Sequence, residues 1–341
     1  METMYIKSRS TLTTAAAIFI GFWAATASFA QDYVARIGHL ESDLQSRHVA
    51  LEKVAATVNA ETGGAVEFQL FPQGQLGGQR EMTEAGQLGA LEATGAPAAV
   101  LGGCNPAVSI LDIPYLIPGD AEAAQALRDG PFGQALLESF SSRGVVALTL
   151  WPNGKKNFTS NEPLDDIASF ADQTFRVMDS RILVEQFNAL GASAVVLPFG
   201  ELYTSLQTGV VDGEENPLDT IQRMKFYEVQ DYLVISEHGA MEDLVLFNPN
   251  WWDSLPQEYK TIITAAFVEA IPELTAHKAA AIKEALEEIE ASETNVRTAS
   301  AEERAALREA MFDPSVAAYL SIAGAEGQAL IDTYYAETGG E

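Results

Sequence analysis

The chain has 341 residues, of which 47% are hydrophobic, 9% aromatic and 20% charged, and its formal net charge is −28 at pH 7. This length and composition predict a folded protein with enough apolar sequence for two domains, and they exclude a largely disordered chain. The negative charge repels phosphate backbones, so we expect no nucleic-acid partner. Cys104 is the only cysteine, which excludes an intramolecular disulfide and a zinc site of several thiolates.

The first thirty residues have the pattern of a secretory signal peptide. Lys7 and Arg9 give a basic start, residues 12–22 are apolar, and small residues precede Gln31. We therefore predict a signal peptide at 1–30 and a periplasmic mature chain. A transmembrane anchor is the alternative, but the apolar run is short for a bilayer. Since no later segment is long and apolar enough to span, we expect a protein that is not embedded in the membrane.

Strand and helix patterns alternate from residue 33 onward. Residues 33–37 and 66–70 alternate as strands do, and residues 41–60 and 81–91 carry apolar side chains at helical spacing. This order predicts an α/β fold, with a sheet that has helices on its faces.

The same alternation returns in the second half of the chain, and long helices close it. Further strands are predicted at 145–150, 174–178 and 194–197, and helices at 182–190, 201–208, 276–291, 301–311 and 327–335. Ser300 and Glu303 form a capping box that predicts where one of these helices begins. We expect two lobes with more than one crossing of the chain between them.

Signatures of enzymes are sparse. No Walker-type phosphate loop and no Gly-x-Ser-x-Gly nucleophile motif is present. Asp212, Glu214 and Glu215 do not fit a calcium loop, so we expect them to be solvated acids near a turn. Four histidines lack the pairing of metal ligands at helical spacing: His39, His48, His238 and His277. We predict no catalytic residue, no metal site and no cofactor.

One cation stands in apolar sequence. Arg176 lies within the predicted strand 174–178, near its end, and strand ends in α/β sheets are where ligand crevices form. Its guanidinium matches the geometry of a carboxylate. A structural ion pair with a nearby acid is the alternative, and the residues alone leave both open. Lys156, in the segment NGKKNF, is on its own typical of a solvated turn lysine.

Several segments resemble the periplasmic substrate-binding subunit of tripartite ATP-independent periplasmic (TRAP) transporters, the DctP family. The specific matches are RVMDS at 176–180, ALGA at 189–192 and LPFGELYTSLQTGVVDGEENP at 197–217. Shorter matches lie at 75–77, 111–116, 226–230 and 252–256. The resemblance implies a two-lobed periplasmic binding protein of the Venus-flytrap type, with a ligand cleft between the lobes and a long C-terminal connecting helix. It also implies a non-catalytic protein that closes over a small organic anion and delivers it to a TRAP membrane permease.

The resemblance also assigns ligand contacts in the second lobe. Arg176 matches the family arginine that forms two bonds to the ligand carboxylate, and Asn216 matches an asparagine that bonds the same group. Phe199 matches an aromatic residue that packs on the ligand. Lys156 stands where many members have a second arginine, so the charge is kept without the bidentate fork. His238 falls at a ligand-contacting position of some members, with a hinge or capping role as the alternative.

The first lobe varies with the ligand, and His39, Glu41 and Gln75 are its candidates by position. Lobe I is predicted at 31–153 plus 242–281, and lobe II at 154–241 plus 282–341. Two cations suggest a C4-dicarboxylate, although a hydroxy acid, a sugar acid, a sulfonate or a monocarboxylate also fits. Two other functions stay open: a ligand-sensing periplasmic module for a membrane receptor, and a periplasmic hydrolase or lyase.

Overall fold

The computed structural model describes residues 1–2 and 32–339, so all but the first two residues of the predicted signal peptide lie outside the described residues. One sheet of ten strands runs through the described part of the chain. The strands are β1 (Tyr33–Gly38), β2 (Val66–Phe71), β3 (Ala93–Pro97), β4 (Val146–Ala147), β5 (Trp151–Ser160), β6 (Thr174–Val177), β7 (Ser193–Val196), β8 (Gly213–Pro217), β9 (Tyr232–Phe247) and β10 (Asn295–Thr298).

The helices cover both faces of this sheet. They are α1 (Ser46–Glu61), α2 (Gln79–Leu88), α3 (Ala121–Asp129), α4 (Pro131–Ser139), α5 (Arg181–Ala189), α6 (Leu202–Gln207), α7 (Leu218–Arg223), α8 (Pro249–Ser254), α9 (Gln257–Glu269), α10 (Ile271–Glu290) and α11 (Ala301–Thr338). The predicted capping box begins α11, because Ser300 Oγ accepts from the Glu303 N–H. Gly324 leaves the helical conformation inside α11, which therefore consists of two helical segments.

The strand order creates two parallel groups that point toward each other. The order is β2-β1-β3-β9-β5-β8-β6-β7, with β4 and β10 paired to β9 beside this path. β1 is parallel to β2 and β3, and β6 is parallel to β7 and β8. Three antiparallel pairs separate the two groups: β3 with β9, β9 with β5, and β5 with β8. The two parallel groups therefore run in opposite directions. Each group with its helices forms one lobe, and β5 and β9 cross between them.

The hydrophobic core is divided in the same way. One cluster packs α1 and α9 against the first parallel group, and another packs α6, α7 and α10 against the second. The last helix packs against both halves of the fold. Its residues Leu307 and Met311 pack with strand β6 and helix α5, whereas Ala318 to Tyr334 pack with the segment 96–150. The two segments of α11 thus tie the halves together.

Several sequence predictions differ from the structure. The predicted strand 145–150 shrinks to the two residues of β4, and the long strand β5 follows it instead. Helix α1 begins at Ser46 and not at residue 41, because residues before it form a turn closed by Gln45 N–H and the Ser42 carbonyl. The prediction of solvated acids is wrong for Glu214 and Glu215, which lie buried on strand β8.

Candidate functional site

The carboxyl ends of the two parallel groups face each other across a short stretch of β5. Pro97 ends β3 and pairs with Asp243 of β9, which pairs with Trp151 of β5. Pro217 ends β8 and pairs with Lys156 of β5. The facing edges are therefore separated by at most about 16 Å of extended strand. A register shift after Pro152 shortens this span further, and crevices at such strand ends are the usual ligand sites of α/β sheets.

Arg176 lies at the second-lobe edge of this crevice. It is 3% exposed, and its Nε donates to the Leu197 carbonyl at 3.1 Å. No carboxylate oxygen of residues 32–339 lies within 4.0 Å of its guanidinium nitrogens. Burial lowers the pKa of Arg176 to about 10, although Glu214 and Glu215 favour the charged form. A buried, charged and unpaired guanidinium is costly unless an anion compensates it.

Phe199 and Asn216 flank this guanidinium. Phe199 follows β7 and is half-buried, with its ring centroid 5.9 Å from Arg176 Cζ and an edge contact to Phe226. Asn216 is buried near the end of β8, and its Nδ2 donates to Glu214 Oε2. The structure therefore brings three of the predicted ligand residues to one edge of the crevice.

Glu214 gives this edge a titratable group near neutral pH. Its carboxylate also accepts from Thr159 Oγ1 at 3.1 Å. Burial raises the pKa of Glu214 to about 7, although Asn216, Arg176 and Thr159 each lower it. Because the protonated form is neutral, the field at Arg176 becomes more negative as pH rises through this value.

Lys156 and His238 are bonded to one buried carboxylate. Lys156 Nζ donates to Glu215 Oε1 at 2.7 Å, and His238 Nε2 lies 2.6 Å from Glu215 Oε2. The His238 ring stacks on Phe158 with the centroids 3.8 Å apart, and its Nδ1 lies 2.8 Å from Ser236 Oγ. Burial alone would raise the pKa of Glu215, but Lys156 and His238 lower it to about 2. The charge of Lys156 is thus balanced inside the protein, and ligand contact by Lys156 or His238 stays a prediction.

A second buried network occupies the first-lobe edge. Arg47, in the first turn of α1, donates from Nε and Nη2 to Asp243 at 2.8 and 2.6 Å. Its Nη2 also lies 3.3 Å from Glu41 Oε1. Asn153 Nδ2 bridges the two acids, at 2.9 Å from Glu41 Oε1 and 2.8 Å from Asp243 Oδ2. The sequence prediction missed Arg47, Asn153 and Asp243, although a cation next to an apolar helix was an available signal for Arg47.

The remaining first-lobe candidates lie beside this network. His39 is buried after β1, and its Nε2 lies 3.0 Å from His48 Nδ1. Burial and the charge of Arg47 lower the pKa of His39 to about 3, so its ring is neutral. Gln75 is exposed on the turn after β2, whose Gly74 N–H donates to the His39 carbonyl at 2.9 Å.

Several side-chain contacts join the two lobes directly around the crevice. Arg80 of α2 pairs with Asp179 after β6, with Nη2 and Oδ2 2.5 Å apart, and both side chains are exposed. Gln45 Nε2 lies 3.5 Å from Thr220 Oγ1 of α7. The crevice is therefore bounded by contacts that link the lobes directly.

In the described part of the chain, no group of three or more His, Cys, Asp or Glu side chains is placed to hold a metal ion. No helix within the same residues combines the length and apolar character needed to cross a bilayer.

Two opposed α/β lobes, crossed by two strands and enclosing a buried unpaired guanidinium, define a two-lobed solute-binding protein. The family model of bacterial extracellular solute-binding proteins, family 7 (DctP), matches residues 37–320. The chain belongs to this family, the periplasmic solute-binding proteins of TRAP transporters.

Solved and curated relatives support the same conclusion. A TRAP solute-binding protein from Desulfovibrio salexigens, solved with orotic acid, is 61% identical with a TM-score of 0.89, covering 90% of this chain and 99% of that one. One from Sulfurospirillum deleyianum, solved with succinate, is 32% identical with a TM-score of 0.81, covering 90% and 99%. The C4-dicarboxylate-binding periplasmic protein DctP of Rhodobacter capsulatus is 32% identical over 286 residues, or 83% of this chain and 86% of the relative. The predicted family, two-lobed fold and periplasmic location are confirmed.

Proposed function

We propose that this protein captures a small organic carboxylate between its two lobes, delivers it to a TRAP permease and catalyses no reaction itself. The observation that carries the proposal is the buried guanidinium of Arg176, which has no carboxylate partner among the described residues. A ligand carboxylate can accept two parallel hydrogen bonds from it and supply the missing counter-charge.

The surrounding residues fit this role. Asn216 lies on the neighbouring strand and offers an amide to the same carboxylate, and Phe199 gives an apolar face beside it. Closing the lobes removes water from the crevice, which strengthens the pairing of Arg176 with an anion. A ligand that binds the closed state better shifts the population toward that state, which is the shape we propose the permease recognises.

The lobes we propose are those of the sequence prediction, 31–153 plus 242–281 and 154–241 plus 282–341, with the second segment of α11 packed against the first lobe. Among solutes, orotate is the first candidate, because the relative that is 61% identical was solved with orotic acid. The C4-dicarboxylates are the second candidate, through relatives that are 32% identical.

Calorimetry with an organic-acid library, preceded by a thermal-shift screen, tests the proposal directly. A ligand that binds the folded protein raises its melting temperature by mass action. For every acid that the screen shows to bind, Arg176→Ala should weaken binding by about 100-fold or more, because a buried charge-assisted contact is lost. Arg181→Ala is the matched control, since Arg181 is exposed at the start of α5. Near-normal affinity in Arg176→Ala would remove the basis of the proposal.

A further inference from the structure

The first-lobe edge of the crevice presents hydrogen-bond acceptors that the protein does not use. Glu41 Oε2, Asn153 Oδ1 and His39 Nδ1 are buried atoms with no hydrogen-bond partner among the described residues. These three residues are 6%, 2% and 0% exposed, respectively. Leaving such groups unpaired in a folded protein costs free energy, so their positions point to a ligand that completes them.

Each of these atoms is an acceptor. The Glu41 pKa is lowered, since Arg47, Lys278 and Asn153 together outweigh the effect of burial, so its carboxylate has no proton to donate. Asn153 must direct Nδ2 at the two carboxylates it bridges, which leaves Oδ1 free. Glu52 Oε1 lies 3.6 Å from His48 Nε2, and it therefore favours the His48 tautomer whose proton is on Nε2. His48 Nδ1 then accepts from His39 Nε2, and His39 Nδ1 is left as an acceptor too.

The cations at this edge are already paired. Arg47 is bonded to Asp243 and Glu41, and Lys278 Nζ lies 2.5 Å from Asp219 Oδ2. A second ligand carboxylate would therefore meet the lone pairs of Glu41 with no free cation beside it, and like charges at hydrogen-bonding distance repel strongly. Arg176, at the opposite edge, has no carboxylate partner among the described residues, whereas Lys155 Nζ is taken up by the Ile117 and Pro118 carbonyls.

The two edges lie within reach of one small molecule. Asn153 belongs to the stretch of β5 between them, and Glu41 follows the carboxyl end of β1 and bonds to Asn153. With at most about 16 Å of strand between the edges, a small molecule with a hydrogen bond of about 3 Å at each end can contact both.

We infer that the solute is a monocarboxylate that carries N–H or O–H donors on the side away from its carboxylate, and that Glu41 determines this specificity. The inference rests on the proposed function, because it takes the carboxylate of the ligand to lie at Arg176. It assigns to the first-lobe edge the recognition of donors and the rejection of dicarboxylates. It therefore replaces the second-anion role that the sequence suggests for Lys156.

Three matched probes test the inference on the wild-type protein. Orotate carries two ring N–H donors, 1,3-dimethylorotate lacks both, and benzoate keeps a six-membered ring and a carboxylate without donors or added bulk. Calorimetry should show that both donor-free acids bind at least tenfold more weakly than orotate, and that succinate binds at least 100-fold more weakly. Equal affinity for orotate and the donor-free acids would overturn the inference.

The variant Glu41→Gln tests the residue itself. It keeps the shape of the side chain but removes the negative charge, so the preference for orotate over succinate should fall at least tenfold. Glu61→Gln, exposed at the end of α1, is the control and should leave the preference unchanged. A melting curve establishes that Glu41→Gln is folded, and the wild-type probes give the answer if it is not. An unchanged preference in folded Glu41→Gln would refute its role.

The library screen separates this inference from the proposed function. If the acids that bind need Arg176 for their affinity and carry donors, the proposed function and the inference are both supported. If their binding needs Arg176 but they are dicarboxylates or donor-free acids, the proposed function stands and the inference fails. If no acid needs Arg176 for binding, the proposed function itself fails.

Discussion

Binding of an anionic ligand should weaken as pH rises above 7, because of Glu214. In the free protein burial raises the pKa of this carboxyl from 4.5 to about 7, which corresponds to roughly 3 kcal/mol against its ionised form. A ligand carboxylate at Arg176 adds a like charge and raises the pKa of Glu214 further. The complex therefore binds a proton that the free protein releases above pH 7, and the dissociation constant should rise by up to about tenfold per pH unit.

The assay is calorimetry at pH 6.0, 7.0, 8.0 and 8.5 in pairs of buffers with different ionisation enthalpies. The observed enthalpy should reveal proton uptake that approaches one proton per ligand at pH 8. Burial also raises the pKa of Asp112, to about 6, so the variant Glu214→Gln is needed to assign the proton uptake to Glu214. In Glu214→Gln both the proton uptake and the pH dependence should disappear. Constant affinity between pH 7 and 8.5 in the wild type, with no proton uptake, would refute the reasoning.

Two further predictions concern ion pairs of very different burial. Lys156→Ala leaves the buried Glu215 without its ammonium partner and should lower the free energy of unfolding by about 3–5 kcal/mol in urea titrations. Lys283→Ala, at a side chain that is 80% exposed, should change the free energy of unfolding by less than about 0.5 kcal/mol. Equal effects of the two variants would contradict the assignment of Lys156 to a buried ion pair. Arg80→Ala removes the exposed pair with Asp179 and should cost less than about 1 kcal/mol of stability. It should raise the ligand dissociation rate a few-fold in stopped-flow fluorescence, and an unchanged rate would show that the pair does not hold the lobes closed.

The second-lobe half of the site is predictable from the sequence because its signals are local. Arg176 is a cation inside an apolar strand, and Asn216 and Phe199 lie in the segment 197–217 that resembles the family. In the structure these side chains come from three adjacent parallel strands or the turns that follow them, so neighbouring carboxyl ends bring them together.

The first-lobe half is not predictable in the same way, because its partners are distant in the chain. Arg47 and Asp243 are 196 positions apart, and Glu41 and Asn153 are 112 apart. Pairing over such separations depends on the crossing strands, and β5 carries Pro152 and a register shift that hide its strand pattern.

A crystal structure with the tightest-binding acid tests the central claim most directly. The account predicts the carboxylate of the ligand within about 3 Å of both terminal nitrogens of Arg176, with its donors facing Glu41. A ligand bound elsewhere, with the Arg176 guanidinium turned to Glu214 or Glu215, would contradict it.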